Sequence, residues 1–198
     1  MRYFLLLFPI REYVEAITRS FPSSVKEEMG DVFATLVRER YRKTGFKVAM
    51  VFFSTIADPQ APDLSRVWAP LPIQNNDTII PCGLTFEEHC WAKVYPKEGD
   101  ILSVLSSPIE ELVIGGFHLW DCVDKMAKYA YSRGIPVSVD EDLTELFFYA
   151  APSAKNIPFS REISANKTRE EIQKYKGSGV WEIMQEVRQG KPWLLQVE

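Results

Sequence analysis

Cys122 is the residue whose type and setting best suit chemistry. It follows the apolar run Leu112 to Phe117 (LVIGGF) and precedes an amphipathic stretch, within IEELVIGGFHLWDCVDKMAKYAYSRGIPVSVDED. A cysteine in the first turn of a helix faces unpaired backbone N–H groups and the positive end of the helix dipole. Both favour the thiolate, which is the nucleophilic form. The same N–H groups suit a developing oxyanion, and Gly115 and Gly116 permit a turn or a close backbone approach. The competing reading is a small core residue on a buried helix face. Asp121 and Asp124 lean that way, because negative charge opposes thiolate formation. His118, between strand and cysteine, titrates near neutral pH and is a candidate base or ligand contact. Phe117 and Trp120 are candidate pocket walls or core. Cys82, His89 and Cys90 contain no Cys-x-x-Cys pair and no second ligand cluster. On a strand, adjacent His89 and Cys90 would point apart, so no metal is expected.

The elements that must position these groups read as alternating buried strands and amphipathic helices. Tyr3 to Phe8 is an apolar run of strand length, and Lys47 to Ser54 (KVAMVFFS) is a second. Between them a loop with Pro22, Ser23 and Ser24 leads to a helix over Asp31 to Lys43. Val32, Phe33, Leu36, Val37 and Tyr41 form its apolar face, with Arg38, Glu39, Arg42 and Lys43 toward water. Gly45 stops it. The Pro- and Asp-rich stretch from Asp58 to Pro72 is long for a connector and is expected to carry function or cover a pocket. Asp77 to Pro81 and Cys90 to Tyr95 read as short strands, and Asp100 to Ser106 as a short helix with Asp100 as N-cap. Asp121 to Arg133 is the clearest helix, Gly134 ends it, and Pro136 to Val139 begins another strand. Strands that are apolar throughout and joined by helices imply a three-layer α/β/α domain with a mainly parallel, Rossmann-like sheet. That domain is expected over residues 1–150. Residues 151–198 are expected to form a helical extension (Val180, Ile183, Met184, Val187) with an apolar tail, packed on the same domain or a neighbouring subunit.

Composition narrows the function classes. An apolar share of 46% over 198 residues supports a sizeable core, and a net charge of -4 with scattered Lys and Arg argues against nucleic acid. The start MRYFLLLFPI imitates a signal peptide, but its apolar run is short and Arg11, Glu12 and Glu15 follow without a small-residue cleavage site. A buried strand is the better reading. With no run near the ~20 apolar residues of a membrane span, and an odd count of three cysteines, a cytoplasmic protein with free thiols is expected. The aromatic run Phe147, Phe148 and Tyr149, with the apolar tail, suggests a homo-oligomer.

The segment around Cys122 resembles the signature of the isochorismatase-like cysteine hydrolases, which include nicotinamidases and related amidases. The resemblance rests on Gly116, Cys122, Val123, Gly134, Val137, Val139 and Asp142, over about thirty residues. It implies an Asp–Lys–Cys triad in which Asp takes the thiol proton, Lys stabilises the thiolate, and Cys attacks a carbonyl or imine carbon. Pro9 stands where the first strand would supply the Asp, with Phe8 and Ile10 beside it, and none can accept a proton. Lys93 and Lys97 are the candidates for the Lys; Glu12 and Asp58 are candidate substitute bases. The expected function is hydrolysis of a small-molecule amide or related bond, without cofactor. The alternative is a catalytically inactive member of the fold used for small-ligand binding or assembly. A nucleotide-binding reading is weaker, because no Gly-x-Gly-x-x-Gly or phosphate-loop Lys follows the strand.

Overall fold

The computed structural model describes residues 1–145, 186 and 188–194. Five strands, β1 (Arg2–Leu7), β2 (Lys47–Phe52), β3 (Thr78–Pro81), β4 (Glu111–Gly116) and β5 (Val137–Thr144), form one sheet in the order β3-β2-β1-β4-β5. Every neighbouring pair is parallel. The helices are α1 (Arg11–Ile17), α2 (Ser23–Arg40), α3 (Phe86–Cys90), α4 (Glu98–Ser103) and α5 (Asp124–Ser132). The step from β1 to β2 runs opposite to the step from β4 to β5. Right-handed crossovers in opposite directions lay α2 and α5 on opposite faces, which gives the expected three layers. Because both faces are covered, Tyr3 to Leu7 of β1 are all buried, and the strand shows no polar alternation.

The order reverses between β1 and β4, and the crevice beyond the carboxyl ends of those strands is the usual ligand position in such sheets. The two ends approach closely. Gly116 has φ of 111°, and a Cβ there would lie 2.0 Å from the carbonyl oxygen of Leu7. The adjacent Phe117 N–H donates to that same oxygen at 3.0 Å. Glycine is therefore required where β4 hands over to the site.

Several elements differ from the sequence reading. α2 starts well before Asp31, with Pro22 at its N-cap position, because Met29 and Gly30 extend the buried face. Arg42 does not face water: its guanidinium donates to Asp77 at 2.5 Å and to the Pro72 carbonyl at 3.0 Å. α4 begins at Glu98 with Lys97, not Asp100, at the N-cap position. Cys90 to Tyr95 is not a strand, since α3 ends at Cys90. Arg40 is buried between Asp140 and Asp142 of β5, pinning α2 to that strand.

Part of the C-terminal segment packs on this same sheet. Lys191 Nζ and Trp193 Nε1 donate to Asp124 at 2.6 and 2.9 Å, Val139 N–H donates to the Trp193 carbonyl at 2.9 Å, and Arg188 pairs with Glu141. Trp193 and Leu194 are buried. The expected helix through Val180, Ile183, Met184 and Val187, the aromatic run at 147–149 and the boundary at 150 lie outside the described residues. Among the described residues, no helix is long and apolar enough to cross a membrane.

Candidate active site

Between β4 and α5 the chain makes one π-helical turn, Leu119–Val123, with His118 extended at its start. Such turns recur at functional sites. Leu119 and Val123 are anchored in the core. The Leu119 N–H is held by both carboxylate oxygens of Glu145, at 2.7 and 2.9 Å. Cys122 thus sits in a wide turn ahead of α5, 8% exposed. The backbone donors expected to serve an oxyanion are partly spent, because the N–H groups of Asp121 and Val123 both bond the His118 carbonyl at 3.1 Å.

The group that meets the thiol is His89. Its Nε2 lies 3.5 Å from Cys122 Sγ. Its Nδ1 lies 2.8 Å from the carbonyl oxygen of Val94. A carbonyl only accepts, so Nδ1 carries the proton and Nε2 presents its lone pair to the thiol. The ring is buried and packed by Phe8, Phe53 and Tyr95, at centroid distances of 5.9, 5.4 and 5.2 Å. The end of β1 therefore contributes an aromatic wall through Phe8. α3 owes its orientation to a capping box: Thr85 Oγ1 accepts from Glu88 N–H, and the Glu88 carboxylate accepts from Thr85 N–H.

Charge gathers on the open side. Asp121 accepts from Lys125 Nζ at 2.6 Å, and that ammonium stands 2.9 Å from the centre of the Tyr95 ring. His89, Asp121 and Cys122 bring one donor atom each to within 4.8 Å of one another. Burial, and after it the Asp121 charge, pushes the Cys122 thiol up to about 12, against the opposing pull of Lys125. The resting group is a thiol. Leu7, Phe8, Tyr95, Lys125 and Met126 line a cleft with Cys122.

The other candidate residues are distributed differently. Lys93 and Lys97 are exposed; the ammonium that lines the cleft with Cys122 belongs to Lys125. His118 packs on the Tyr13 ring at 4.7 Å, with Nδ1 3.8 Å from Glu145, and burial lowers its pKa, leaving it neutral near pH 7. Phe117 is buried core. Trp120 faces the cations of Arg188 and Lys191, at 5.7 and 5.8 Å. Asp58 is exposed and bonds Gln60 N–H in its own turn. Glu12 is paired with Arg66 at 2.7 Å. Cys82 donates to the Leu84 carbonyl, and Cys90 contacts Tyr13 Oη at 3.5 Å, so neither joins His89.

His89 is the functional candidate that sequence reasoning misses, because the expected strand Cys90 to Tyr95 leaves it outside any helix. The signal was present in Thr85-Phe86-Glu87-Glu88, the Thr-x-x-Glu pattern that starts a helix. On a helix His89 and Cys90 still diverge, but His89 then turns toward the end of β4.

Comparison with solved structures finds several that match much of the chain at low identity. An isochorismatase family protein from Desulfovibrio vulgaris is 14% identical over 90% of each chain, with a TM-score of 0.49. An N-carbamoylsarcosine amidase from Thermoplasma acidophilum is 18% identical over 72% of this chain and 83% of its own, with a TM-score of 0.47. A nicotinamidase/pyrazinamidase from Bacillus subtilis is 13% identical over 89% and 95%, with a TM-score of 0.46. At these identities and TM-scores the likeness says nothing of activity. No family model matches the sequence, and no curated protein matches it.

Proposed function

We propose that the chain is a hydrolase of a small amide or related bond that uses Cys122 as nucleophile and His89 as its base. The observation that carries this reading is the 3.5 Å contact between Cys122 Sγ and the lone-pair nitrogen of a buried histidine whose tautomer is set by Val94. The amide class comes from the sequence resemblance around Cys122. The thiol proton passes to His89 Nε2 as Sγ bonds the carbonyl carbon. The imidazolium then returns that proton to the departing amine, leaving an acyl thioester on Cys122. His89 next takes a proton from water, whose oxygen attacks the thioester, and the acid product leaves with the thiol restored. Asp121, beside both residues, stabilises the imidazolium, and Lys125 offsets the charge on sulfur. A base on α3 thereby answers the absence of an acidic residue at the end of β1.

The test is trapping by mass spectrometry with a panel of small primary amides and N-carbamoyl compounds, together with alkylation by iodoacetamide. The expected result is a covalent adduct on Cys122, absent in Cys122→Ala. Alkylation of Cys122, whose thiol meets the His89 base, should be faster than that of Cys82, whose thiol donates to the Leu84 carbonyl, and should slow ~10²-fold in His89→Ala. If Cys122 reacts no faster than Cys82 and His89→Ala changes nothing, the nucleophile reading fails. A non-catalytic binding or assembly role would then follow, a role that the high thiol pKa favours.

A further inference from the structure

We propose that His89 Nε2, Cys122 Sγ and a carboxylate oxygen of Asp121 form a binding site for a divalent ion of the Zn²⁺ class. The spacing supports it. Zinc bonds of ~2.3 Å to sulfur and ~2.0–2.1 Å to nitrogen, at a tetrahedral angle, place S and N about 3.6 Å apart. The observed separation is 3.5 Å. Asp121 stands within 4.8 Å of both atoms, so a modest turn of its side chain completes the third ligand. One thiolate, one imidazole and one carboxylate suit zinc and its neighbours better than the all-oxygen ions Mg²⁺ and Ca²⁺. The outer contacts also fit. A ligating histidine commonly donates its other N–H to a carbonyl, as His89 does to Val94. Both ligand-bearing elements are anchored, α3 by the Thr85–Glu88 box and the π-turn by Glu145. Lys125, now on Asp121, has a side chain 41% exposed and can swing into water. A cleft lined by Leu7, Phe8, Tyr95 and Lys125 opens beside Cys122.

Binding forms the Sγ–metal bond as the thiol proton leaves to solvent, and it occupies the histidine lone pair at the same time. The consequence for activity rests on the proposed function: an occupied site has neither free nucleophile nor free base, so the ion silences the hydrolase. The binding itself does not depend on that reading.

The experiment titrates the metal-free full chain with Co²⁺ as a coloured stand-in for Zn²⁺, then displaces it with Zn²⁺. The expected result is one ion per chain, with tetrahedral d–d bands and a sulfur-to-cobalt charge-transfer band that disappears in Cys122→Ser and His89→Gln. Asp121→Asn, a partly exposed change that leaves the core intact, should weaken binding at least ~10-fold. Zn²⁺ should protect Cys122 from iodoacetamide in the wild-type chain while Cys82 and Cys90 react as before. A missing charge-transfer band, or one that survives in Cys122→Ser, overturns the site, and so does unchanged affinity in Asp121→Asn. If the cobalt spectrum fails while the amide adduct on Cys122 forms, only the metal site falls. If the spectrum appears and no adduct forms, only the hydrolase falls.

Discussion

Arg40 and Cys122 are both buried polar groups, and the protein treats them in opposite ways. Arg40 is enclosed by the carboxylates of Asp140 and Asp142 at 3.0–3.1 Å, and Tyr41 Oη adds a 2.5 Å bond to Asp140. Burial alone would drive the guanidinium toward its neutral form, yet the two aspartates outweigh it and its pKa is raised. Cys122 has a single histidine at the longer distance of 3.5 Å, and burial keeps it a neutral thiol. The first cluster answers a buried cation with two carboxylates and fixes α2 against β5. The second keeps a proton and a lone pair uncommitted, as a reactive pair or a metal site requires. A buried charge held by opposite charges makes a structural cluster, whereas a buried thiol beside one imidazole stays neutral.

The contrast can be broken first at Arg40. Arg40→Ala strands two buried carboxylates and should cost about 3–5 kcal/mol in denaturant unfolding, while the Cys122 alkylation rate of the folded fraction stays unchanged. A loss under about 1 kcal/mol would mean that the network is not the structural anchor described here.

Glu145 sharpens the other side, because it holds the turn that carries Cys122. Burial raises its carboxyl from 4.5 to about 6, so the folded state holds that proton more tightly than the unfolded chain does. The stabilisation is complete below about pH 4.5 and lost as pH rises through about 6, a change of roughly 2 kcal/mol. Unfolding midpoints measured across that window should fall with rising pH in the wild type. Glu145→Gln should remove this component; an identical slope in both proteins would refute the assignment.

The smallest effect concerns the helix that presents His89. Thr85→Ala removes the cap of α3 and should cost ~1 kcal/mol of stability. It should also slow Cys122 alkylation, because Nε2 no longer dwells at the thiol. Equal alkylation rates would show that α3 keeps its place without the cap.

Much of the frame was legible in the sequence. Tyr3 to Phe8, Val48 to Phe53 within Lys47 to Ser54, and Leu112 to Phe117 are uninterrupted apolar runs, and such runs have one good solution, a parallel sheet covered on both faces. The handover after Gly116 was legible because glycine is needed where β4 meets the end of β1. Long-range pairing was not. Arg40 with Asp140 and Asp142, and Arg42 with Asp77, join residues whose types say nothing of one another. A charged residue on a helix reads as solvated until a second element supplies its counter-charge.

The sequence by itself determined the alternation of strands and helices, the apolar sheet and the position of Cys122 after β4, because each depends on local pattern and turn chemistry. Only the tertiary structure decided which group faces the thiol. His89 reaches Cys122 from α3, 33 positions away along the chain. That meeting depends on where α3 lands on the edge of the sheet, which the packing of Phe8, Phe53 and Tyr95 around the imidazole sets and no local pattern encodes.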